Sequence, residues 1–233
     1  MRTISLRFAR RSNSSSSSSS SSNDDDTESN SNPLFQFFAT NLQDLFKADD
    51  ILNNAECLKF LDETKELFHL LVALAKYPKN HQHEHERCFA FNQLMDYLKQ
   101  MHREESYSRY AHRMSCELKS LGLNIEAGTA LLLHANLLTF NEHKVLPEFK
   151  VDYEIIFKEQ AEEKRKETLL NQAIAFFDEA KYYEGSLELC NQLYKHYSED
   201  VYKYQEVAVI LKKMANYYEQ IGERSAITLT LSH

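Results

Sequence analysis

The sequence predicts an all-α protein: antiparallel helical hairpins stacked in a right-handed repeat array of the tetratricopeptide or armadillo kind, behind a disordered N-terminal tail. Helix breakers are scarce, since the 233 residues include only four glycines and three prolines, and no glycine lies between Pro33 and Gly122. Apolar residues recur at helical spacing over most of the chain after Pro33. These two observations favour long, packed helices.

The first 32 residues differ from the rest in composition. Nine consecutive serines lead into an Asp-, Ser- and Asn-rich stretch, which has too little apolar surface to offset the entropy of ordering. The arginines before the serines also fit a mitochondrial targeting peptide, but Ile4, Leu6 and Phe8 alternate instead of forming a helical stripe. A disordered tail over residues 1–33 is therefore favoured over a targeting signal.

Successive amphipathic helices are predicted after this tail. Their predicted ranges are residues 34–47, 50–77, 86–102, 105–121, 124–140, 153–181, 184–198 and 200–221. The helix at 124–140 carries adjacent Leu131, Leu132 and Leu133, so we expect it to be buried between neighbouring helices. The predicted packing face of the last helix comprises Tyr204, Val207, Leu211, Met214, Tyr218 and Ile221.

Two links between these helices carry turn signals. Gly122 can adopt the left-handed conformation that ends a helix, and Asn124 can cap the helix that follows. Residues 180–183 form the second turn. The two hairpins are farther apart than the 34 residues of a tetratricopeptide repeat, because a loop at 141–150 and a long helix separate them.

Composition excludes several classes of function. A net charge of -8 and an isoelectric point near 5.7 argue against nucleic-acid binding. No run of apolar residues approaches the roughly 18 that a transmembrane helix needs, so a soluble, cytoplasmic protein is expected. The four cysteines lie far apart and predict neither a zinc module nor a redox motif. We expect reduced, mostly buried thiols.

Three histidines in five residues form the one candidate metal site. His81, His83 and His85 alternate with other polar residues and could hold a transition metal. They do not form the H-E-x-x-H pattern, because position 87 is arginine. A solvated linker after Pro78 is the favoured interpretation, and no metal or cofactor is predicted.

For the other reactive or charged residues, a structural role is also favoured over a catalytic or binding role. Cys116 and Cys190 lie on apolar helical faces without an orienting group, so both are predicted to be core cysteines. The run at residues 162–167 mixes both signs of charge and is predicted to be the solvated face of a helix, with Glu162 paired to Lys166. No phosphate loop, nucleophile elbow or acid/base pair can be placed, so no catalytic residue is predicted.

Tyrosines are concentrated in the last third of the chain. Aromatic residues at helical spacing usually lie in a core, although tyrosine is also favoured at interfaces for its polar end. A core role is favoured over an interface role for the following set: Tyr182, Tyr183, Tyr194, Tyr197, Tyr217 and Tyr218.

Two segments resemble one protein family. Residues 91–140, FNQLMDYLKQMHREESYSRYAHRMSCELKSLGLNIEAGTALLLHANLLTF, look like the opening of the exchange domain of dedicator-of-cytokinesis proteins, most clearly in EAGTALLLHANLL at 126–138. Residues 173–221, AIAFFDEAKYYEGSLELCNQLYKHYSEDVYKYQEVAVILKKMANYYEQI, resemble the next part of that domain in the same order. The form Ala-Leu-Leu-Leu-His-Ala at 130–135 is more similar to the Rac-directed branches than to the branch acting on Cdc42.

The resemblance implies a role in small-GTPase signalling. Members of that family are guanine nucleotide exchange factors for Rho-type GTPases, and the matching segment corresponds to lobe A of their three-lobed DOCKER domain, a helical array that supports the domain and mediates homodimerisation. The GTPase-binding surface and nucleotide-sensing loop lie in lobes B and C, which residues 222–233 do not resemble. No exchange residue is carried over, and a truncated product or fragment is expected.

The expected organisation follows from these comparisons. Residues 1–33 form the tail, 34–90 a helical segment preceding the exchange domain, 91–221 the lobe A-like domain and 222–233 an irregular C-terminal tail. The leading hypothesis is a scaffold and dimerisation segment of a Rho/Rac exchange factor that is not an enzyme by itself, with a Rac-like GTPase bound by the missing lobes. The alternative is a free-standing helical-repeat adaptor that binds a protein or peptide.

Overall fold

The computed structural model describes residues 55–200 and 202–231, together with the isolated residues 37, 40, 41 and 44. The helices in the two long ranges are α1 Ala55–Lys76, α2 Glu84–Gln100, α3 Glu104–Ser120, α4 Asn124–Ala135, α5 Glu162–Glu179, α6 Tyr183–Lys195 and α7 Tyr204–Leu231. A 3-10 helix at His81–His83 precedes α2, and a π-helical turn at His196–Asp200 follows α6. The predicted tail lies outside the described residues, as does most of the predicted helix at 34–47.

Each helix packs against the next one in sequence, from α1 to α7. The predicted all-α architecture of helical hairpins is therefore confirmed, while the handedness of the array and its tetratricopeptide or armadillo type stay predictions. None of the helices in the described part of the chain is long and apolar enough to cross a bilayer.

Three hairpin turns have the same type of C-terminal helix cap. At the ends of α2, α3 and α5, a backbone N–H donates to the carbonyl five residues earlier, in the pairs Arg103 to Leu98, Leu123 to Leu118 and Tyr182 to Phe177. The residue before each donor has a positive φ: 53° at His102, 74° at Gly122 and 56° at Lys181. The predicted turns at Gly122 and Lys181 are thus present, although glycine occupies the left-handed position in one of the three.

Two hydrophobic cores meet at α4. The first joins α1, α2, α3 and one face of α4, which contributes Ala127 and Ala130. The second joins the adjoining face of α4, including Leu131 and Ala135, to α5, α6 and α7. The prediction that this helix is buried between neighbours is confirmed.

Small residues let α4 and α5 approach closely. A Cβ atom added to Gly128 would lie 2.6 Å from the Phe177 ring and 3.3 Å from the carbonyl oxygen of Ala173. Ala173 is itself fully buried. The side chain of Phe177 therefore fills the space that a larger residue at position 128 would need, which fixes the position of α5 against α4.

Residues 145–161 form two small antiparallel ribbons, not the start of a helix. Strand β1, Val145–Leu146, pairs with β4, Gln160–Ala161, and strand β2, Phe149–Val151, pairs with β3, Glu154–Phe157. Positive φ angles at Asp152 and Tyr153 form the two-residue turn between β2 and β3. The predicted helix at 153–181 is thus wrong over its first part, because the buried rings of β2 and β3 hold the segment extended.

Two other helix ends differ from prediction. Helix α4 ends at Ala135 instead of 140, and the side chain of Asn141 then accepts hydrogen bonds from the backbone N–H groups of His143 and Lys144, which starts the loop. Helix α7 runs to Leu231, so the prediction of an irregular tail from 222 is wrong up to that residue. Gly222 adopts helical geometry with open space around it.

The buried face of α7 is rotated from the predicted one. Its buried and half-buried apolar residues are Val207, Ile210, Met214, Tyr217 and Ile221. Tyr204, Leu211 and Tyr218, which were predicted to pack inward, are exposed. Both sets are apolar and helically spaced, and only the position of α6 selects between them.

Candidate functional site

The charged run at the start of α5 is buried, which contradicts its predicted solvated face. Glu162, Glu163, Arg165 and Glu167 are all at least nine-tenths buried, and Glu162 is 1% exposed. The β ribbons cover this end of the helix from one side, and the end of α6 covers it from the other. Acidic residues in the first turn also lie at the positive end of the helix dipole, which favours their charged form.

Glu162 ties the β segment to α5. Its carboxylate accepts hydrogen bonds from Lys144 Nζ at 3.0 Å and Thr139 Oγ1 at 2.9 Å, and its backbone N–H donates to the carbonyl of Lys144 at 2.8 Å. Burial by itself raises the pKa of Glu162, but the hydrogen bonds from Lys144 and Thr139 outweigh it and lower that pKa below its ordinary value. Glu162 is therefore paired with Lys144 and not, as predicted, with Lys166.

Arg165 holds the β2–β3 hairpin in place. Its guanidinium donates to the carbonyl of Pro147 at 2.6 Å and lies over the rings of Phe149 and Phe157, 5.9 Å and 5.5 Å from their centroids. Lys166 donates to the carbonyl of Leu138 at 2.6 Å, just beyond the end of α4. Arg165 and Lys166 thus bind main-chain oxygens of the connecting segment, whereas Lys164 is exposed and pairs with Glu167.

Glu163 and Glu167 face the opposite side of α5, toward the π turn. Glu163 Oε1 lies 3.0 Å from His196 Nε2 and 2.8 Å from Lys203 Nζ. Glu167 Oε1 lies 4.0 Å from His196 Nε2 and 3.7 Å from Lys203 Nζ. The ring of Phe140 stacks on that of His196 at 4.0 Å, which fixes the orientation of the imidazole. We call these four charged or titratable residues the π-turn cluster.

A buried pair of histidines lies beneath the β2–β3 hairpin. His112 Nε2 and His134 Nδ1 are 2.8 Å apart, and the rings of Phe149 and Phe157 pack over both imidazoles. Burial, with a further contribution from the charge on Arg165, lowers the pKa of His112 to about 4. Burial, the neighbouring imidazole and Arg165 lower that of His134 to about 3. Both rings are therefore neutral at pH 7, and the N–H of one donates a hydrogen bond to the unprotonated nitrogen of the other.

The three histidines weighed as a metal site do not face one another in a common pocket. His81 is exposed, with Nδ1 3.7 Å from a carboxylate oxygen of Glu84, and the ring of His83 lies against that of Tyr77. His85 is exposed on the first turn of α2. In the described part of the chain, the group with metal-ligand geometry is instead Glu163, Glu167 and His196.

The cysteines divide between core and surface. Cys88 and Cys190 are buried, Cys57 is half-buried and Cys116 is exposed, and none of these four described residues forms a disulfide. Cys190 is a core residue as predicted, and burial raises the pKa of its thiol to about 11. The prediction for Cys116 is wrong, because Ala111, Met114 and Leu118 define the inward face of α3 and Cys116 lies off it.

The tyrosines of the last third likewise divide. Tyr183, Tyr197 and Tyr217 are buried, which agrees with the predicted core role. Tyr182 and Tyr218 are exposed, so a core role is wrong for these two.

Helix α7 presents an apolar stripe to solvent. Its exposed members, which we call the α7 stripe, are Tyr204, Ala208, Leu211, Ala215 and Tyr218. Their 4,3,4,3 spacing is that of a coiled-coil seam, in which large and small residues alternate. The small residues would let a second helix come close, and the large ones would bury apolar area against it.

A groove lies between α1, α3 and the β2–β3 hairpin. It encloses about 580 Å³, and its floor includes Leu67, Leu71 and Leu98. Arg109 and Arg113 also line it, and each forms a salt bridge, Arg109 with Glu105 and Arg113 with Asp152. An extended peptide with acidic side chains matches this combination of an apolar floor and basic residues.

Comparison with known proteins agrees with the family resemblance. The chain is 30% identical over 172 residues to dedicator of cytokinesis protein 3 of Homo sapiens and, equally, to that of Mus musculus. It is 30% identical over 132 residues to dedicator of cytokinesis protein 4 of Homo sapiens. These relatives support the dedicator-of-cytokinesis family. No protein-family model matches the chain.

The extent of these matches is uneven. The alignment with protein 3 covers 73% of this chain and 8% of the human relative, and that with protein 4 covers 56% and 6%. The chain thus spans less than a tenth of the length of the curated relatives it matches. The similarity covers more than half of this chain but a small part of each relative.

Sequence reasoning missed both buried polar groups. A signal was present for the π-turn cluster, since Glu163 and Glu167 are four residues apart and share one helix face. Their partners, His196 and Lys203, lie 33 and 40 residues from Glu163 in sequence and could not be paired with the two glutamates by spacing. The same holds for His112 and His134, which lie on different helices.

Proposed function

We propose that this chain is a lobe A-like scaffold and dimerisation segment of a Rho/Rac-family guanine nucleotide exchange factor. The observation that carries the proposal is the similarity to dedicator of cytokinesis proteins 3 and 4, which extends over up to 73% of the chain. In this proposal residues 91–221 correspond to lobe A, and residues 34–90 to the helical segment that precedes the exchange domain. The protein acts in the cytoplasm.

The α7 stripe supports self-association. Helix α7 ends the array of packed helices in the described part of the chain, and the last helix of such an array needs a cap or another chain to cover its outer face. Pairing two stripes about a two-fold axis would bury tyrosine and leucine side chains against alanines of the partner. The proposed partner is therefore a second copy of this chain.

Leu211→Glu tests the proposed dimer. Leu211 lies at the centre of the stripe, and a charge buried there would cost more than the contact it replaces. Val209→Glu is the matched control, because Val209 lies on the same helix at similar exposure, 55% against 47%, but off the stripe. We expect wild type and Val209→Glu to be dimers by light scattering, and Leu211→Glu to be a monomer. A wild-type monomer at micromolar concentration would refute the dimer.

The chain is proposed to lack exchange activity of its own. In the family that it resembles, the GTPase-binding surface lies in lobes B and C, and a Rac-like GTPase is the proposed partner of the parent protein through those lobes. We expect release of fluorescent GDP from Rac to proceed at its intrinsic rate when this chain is added. Clear acceleration would contradict the scaffold role.

The groove favours a second candidate, a helical-repeat adaptor that binds an acidic peptide. The apolar floor at Leu67 and Leu71 and the basic residues Arg109 and Arg113 suit such a ligand. Fluorescence anisotropy with a labelled acidic amphipathic peptide separates the two candidates. Binding by a monomeric chain, reversed by Arg113→Glu, would favour the adaptor, whereas a dimer without peptide binding favours the scaffold.

A further inference from the structure

The π-turn cluster contains the donor atoms of a metal site. Glu163 and Glu167 lie one turn apart on α5, and His196 begins the π turn at the end of α6. One ligand atom from each of these residues lies within 4.8 Å of the other two, and all three residues are buried. Two carboxylate oxygens and an imidazole nitrogen on two rigid helices are thus already gathered at one point.

One of these potential metal ligands, a carboxylate oxygen of Glu167, accepts no hydrogen bond from the described residues. Glu167 Oε1 is buried and accepts no hydrogen bond from the described residues, and Glu167 as a whole is 6% exposed. Buried carboxylate oxygens almost always accept a hydrogen bond. A buried oxygen that accepts none, and that lies close to two other potential metal ligands, therefore indicates a binding site for an ion. The π turn that begins at His196 is itself a rare backbone form that occurs frequently at functional sites.

Lys203 now provides the positive charge of the cluster. Its ammonium lies 2.8 Å from Glu163 Oε1 and 3.7 Å from Glu167 Oε1. The Lys203 side chain is 39% exposed, so its ammonium can turn out to solvent without disturbing the core. A second ammonium, Lys164 Nζ, lies 3.5 Å from the other oxygen of Glu167, Oε2, and its side chain is largely exposed. Lys203 is therefore the ammonium that a metal ion bound at Oε1 would displace.

We infer that Glu163, Glu167 and His196 bind a divalent transition-metal ion of the Zn²⁺ or Co²⁺ type in place of the Lys203 ammonium. Mixed imidazole and carboxylate donors select such ions over Mg²⁺ and Ca²⁺, which prefer oxygen ligands alone. Three protein ligands leave a further coordination position, which water can fill. The ion would join α5 to the start of the π turn, whereas Lys203 joins α5 to the segment just before α7.

Titration with Co²⁺ tests the site, because Co²⁺ held by an imidazole and carboxylates absorbs visible light. The full chain is used with His81, His83 and His85 all changed to Gln, so that these three closely spaced histidines do not compete for the ion. Stoichiometric binding is expected in this background, and Zn²⁺ should abolish the absorption. Lys203→Met should tighten binding at least about tenfold, because it removes the competing ammonium.

Two further variants decide the location of the ion. Glu167→Gln keeps the shape of the side chain and should weaken Co²⁺ binding at least about tenfold. Lys144→Met is the matched control: it removes a lysine paired with Glu162 outside the cluster and should leave the affinity unchanged. Circular dichroism establishes that each variant is folded. The inference is overturned if neither the background nor Lys203→Met absorbs, or if Glu167→Gln binds as tightly as the background.

Discussion

The buried pair of His112 and His134 should make the fold sensitive to mild acid. An imidazole with an ordinary pKa of 6.5 is protonated in the unfolded chain at pH 5, whereas burial lowers the folded pKa of His112 to about 4 and that of His134 to about 3. Below pH 6.5 the unfolded chain therefore binds more protons than the folded one, and the free energy of unfolding falls with falling pH. The contribution of the pair is complete above pH 6.5 and is lost progressively as the pH approaches 4.

The size of the effect follows from the two shifts. Between pH 7 and pH 5 each histidine should lower the free energy of unfolding by about 2 kcal/mol, and the pair by about 4 kcal/mol. Buried carboxylates contribute little in this range, because the pKa of Glu162 and that of Glu163 are both lowered from 4.5, so their contribution is lost only at lower pH. Mild acid thus isolates the histidines from the acidic groups.

Urea unfolding followed by circular dichroism at several pH values measures this dependence. The double variant His112→Gln with His134→Gln should lose most of the pH dependence between 7 and 5 while its amides still form a hydrogen bond. His143→Gln is the control, since the side chain of His143 is largely exposed. A wild-type free energy of unfolding that is unchanged over this range, or a double variant with the wild-type slope, would refute the reasoning.

Three further predictions concern the free energy of unfolding in urea. Gly128→Ala should lower it by about 1–3 kcal/mol, because the new Cβ would overlap a ring of α5, whereas Gly222→Ala, with open space around it, should raise it by about 0.5–1 kcal/mol. Lys181→Gly should raise it by about 1 kcal/mol, since φ at this position is 56°. Arg87→Met should lower it by about 3–5 kcal/mol, because it removes the buried donor to Glu117 Oε2 and to two main-chain carbonyls at the end of α1, those of Leu74 and Tyr77. Lys79→Met, which removes an exposed partner of the same carboxylate, should change it by less than about 1 kcal/mol.

Each of these predictions can be contradicted by a specific result. Equal effects of alanine at positions 128 and 222 would show that helix approach does not depend on Gly128. A loss of stability in Lys181→Gly would show that its side chain matters more than its backbone conformation. Arg87→Met with the small effect expected of Lys79→Met would show that the buried guanidinium is not needed.

The presence of the helices can be predicted from the sequence, because the helical spacing of apolar residues is a local property that does not depend on which helices pack together. Which face of α7 is buried cannot be read in this way, because two adjacent apolar columns compete and the sequence does not show which one α6 covers. The spacing predicts Leu211 in the core, whereas Ile210 is the buried residue. Because α6 covers the column with Ile210, the other column is left exposed as the α7 stripe, which supports the proposed dimer.

The β segment and its buried charges were beyond sequence reasoning for a different reason. Residues 153–161 mix charged and apolar side chains in a way that also fits a helix, and their strands are stabilised by pairing with 145–151. The charges of 162–167 were assigned to solvent, because charged residues are rarely buried without partners. Their partners, such as Pro147 and Lys203, are brought close only by the complete fold.

The division of α4 between two cores has a consequence for cooperativity. The face with Ala127 and Ala130 completes the N-terminal half, and the face with Leu131 and Ala135 completes the C-terminal half. Neither half can keep its interior dry if this helix melts, since each would open a side to water. Separating the halves at the β segment would leave the first with an uncovered apolar face, so a single unfolding transition spanning both is expected.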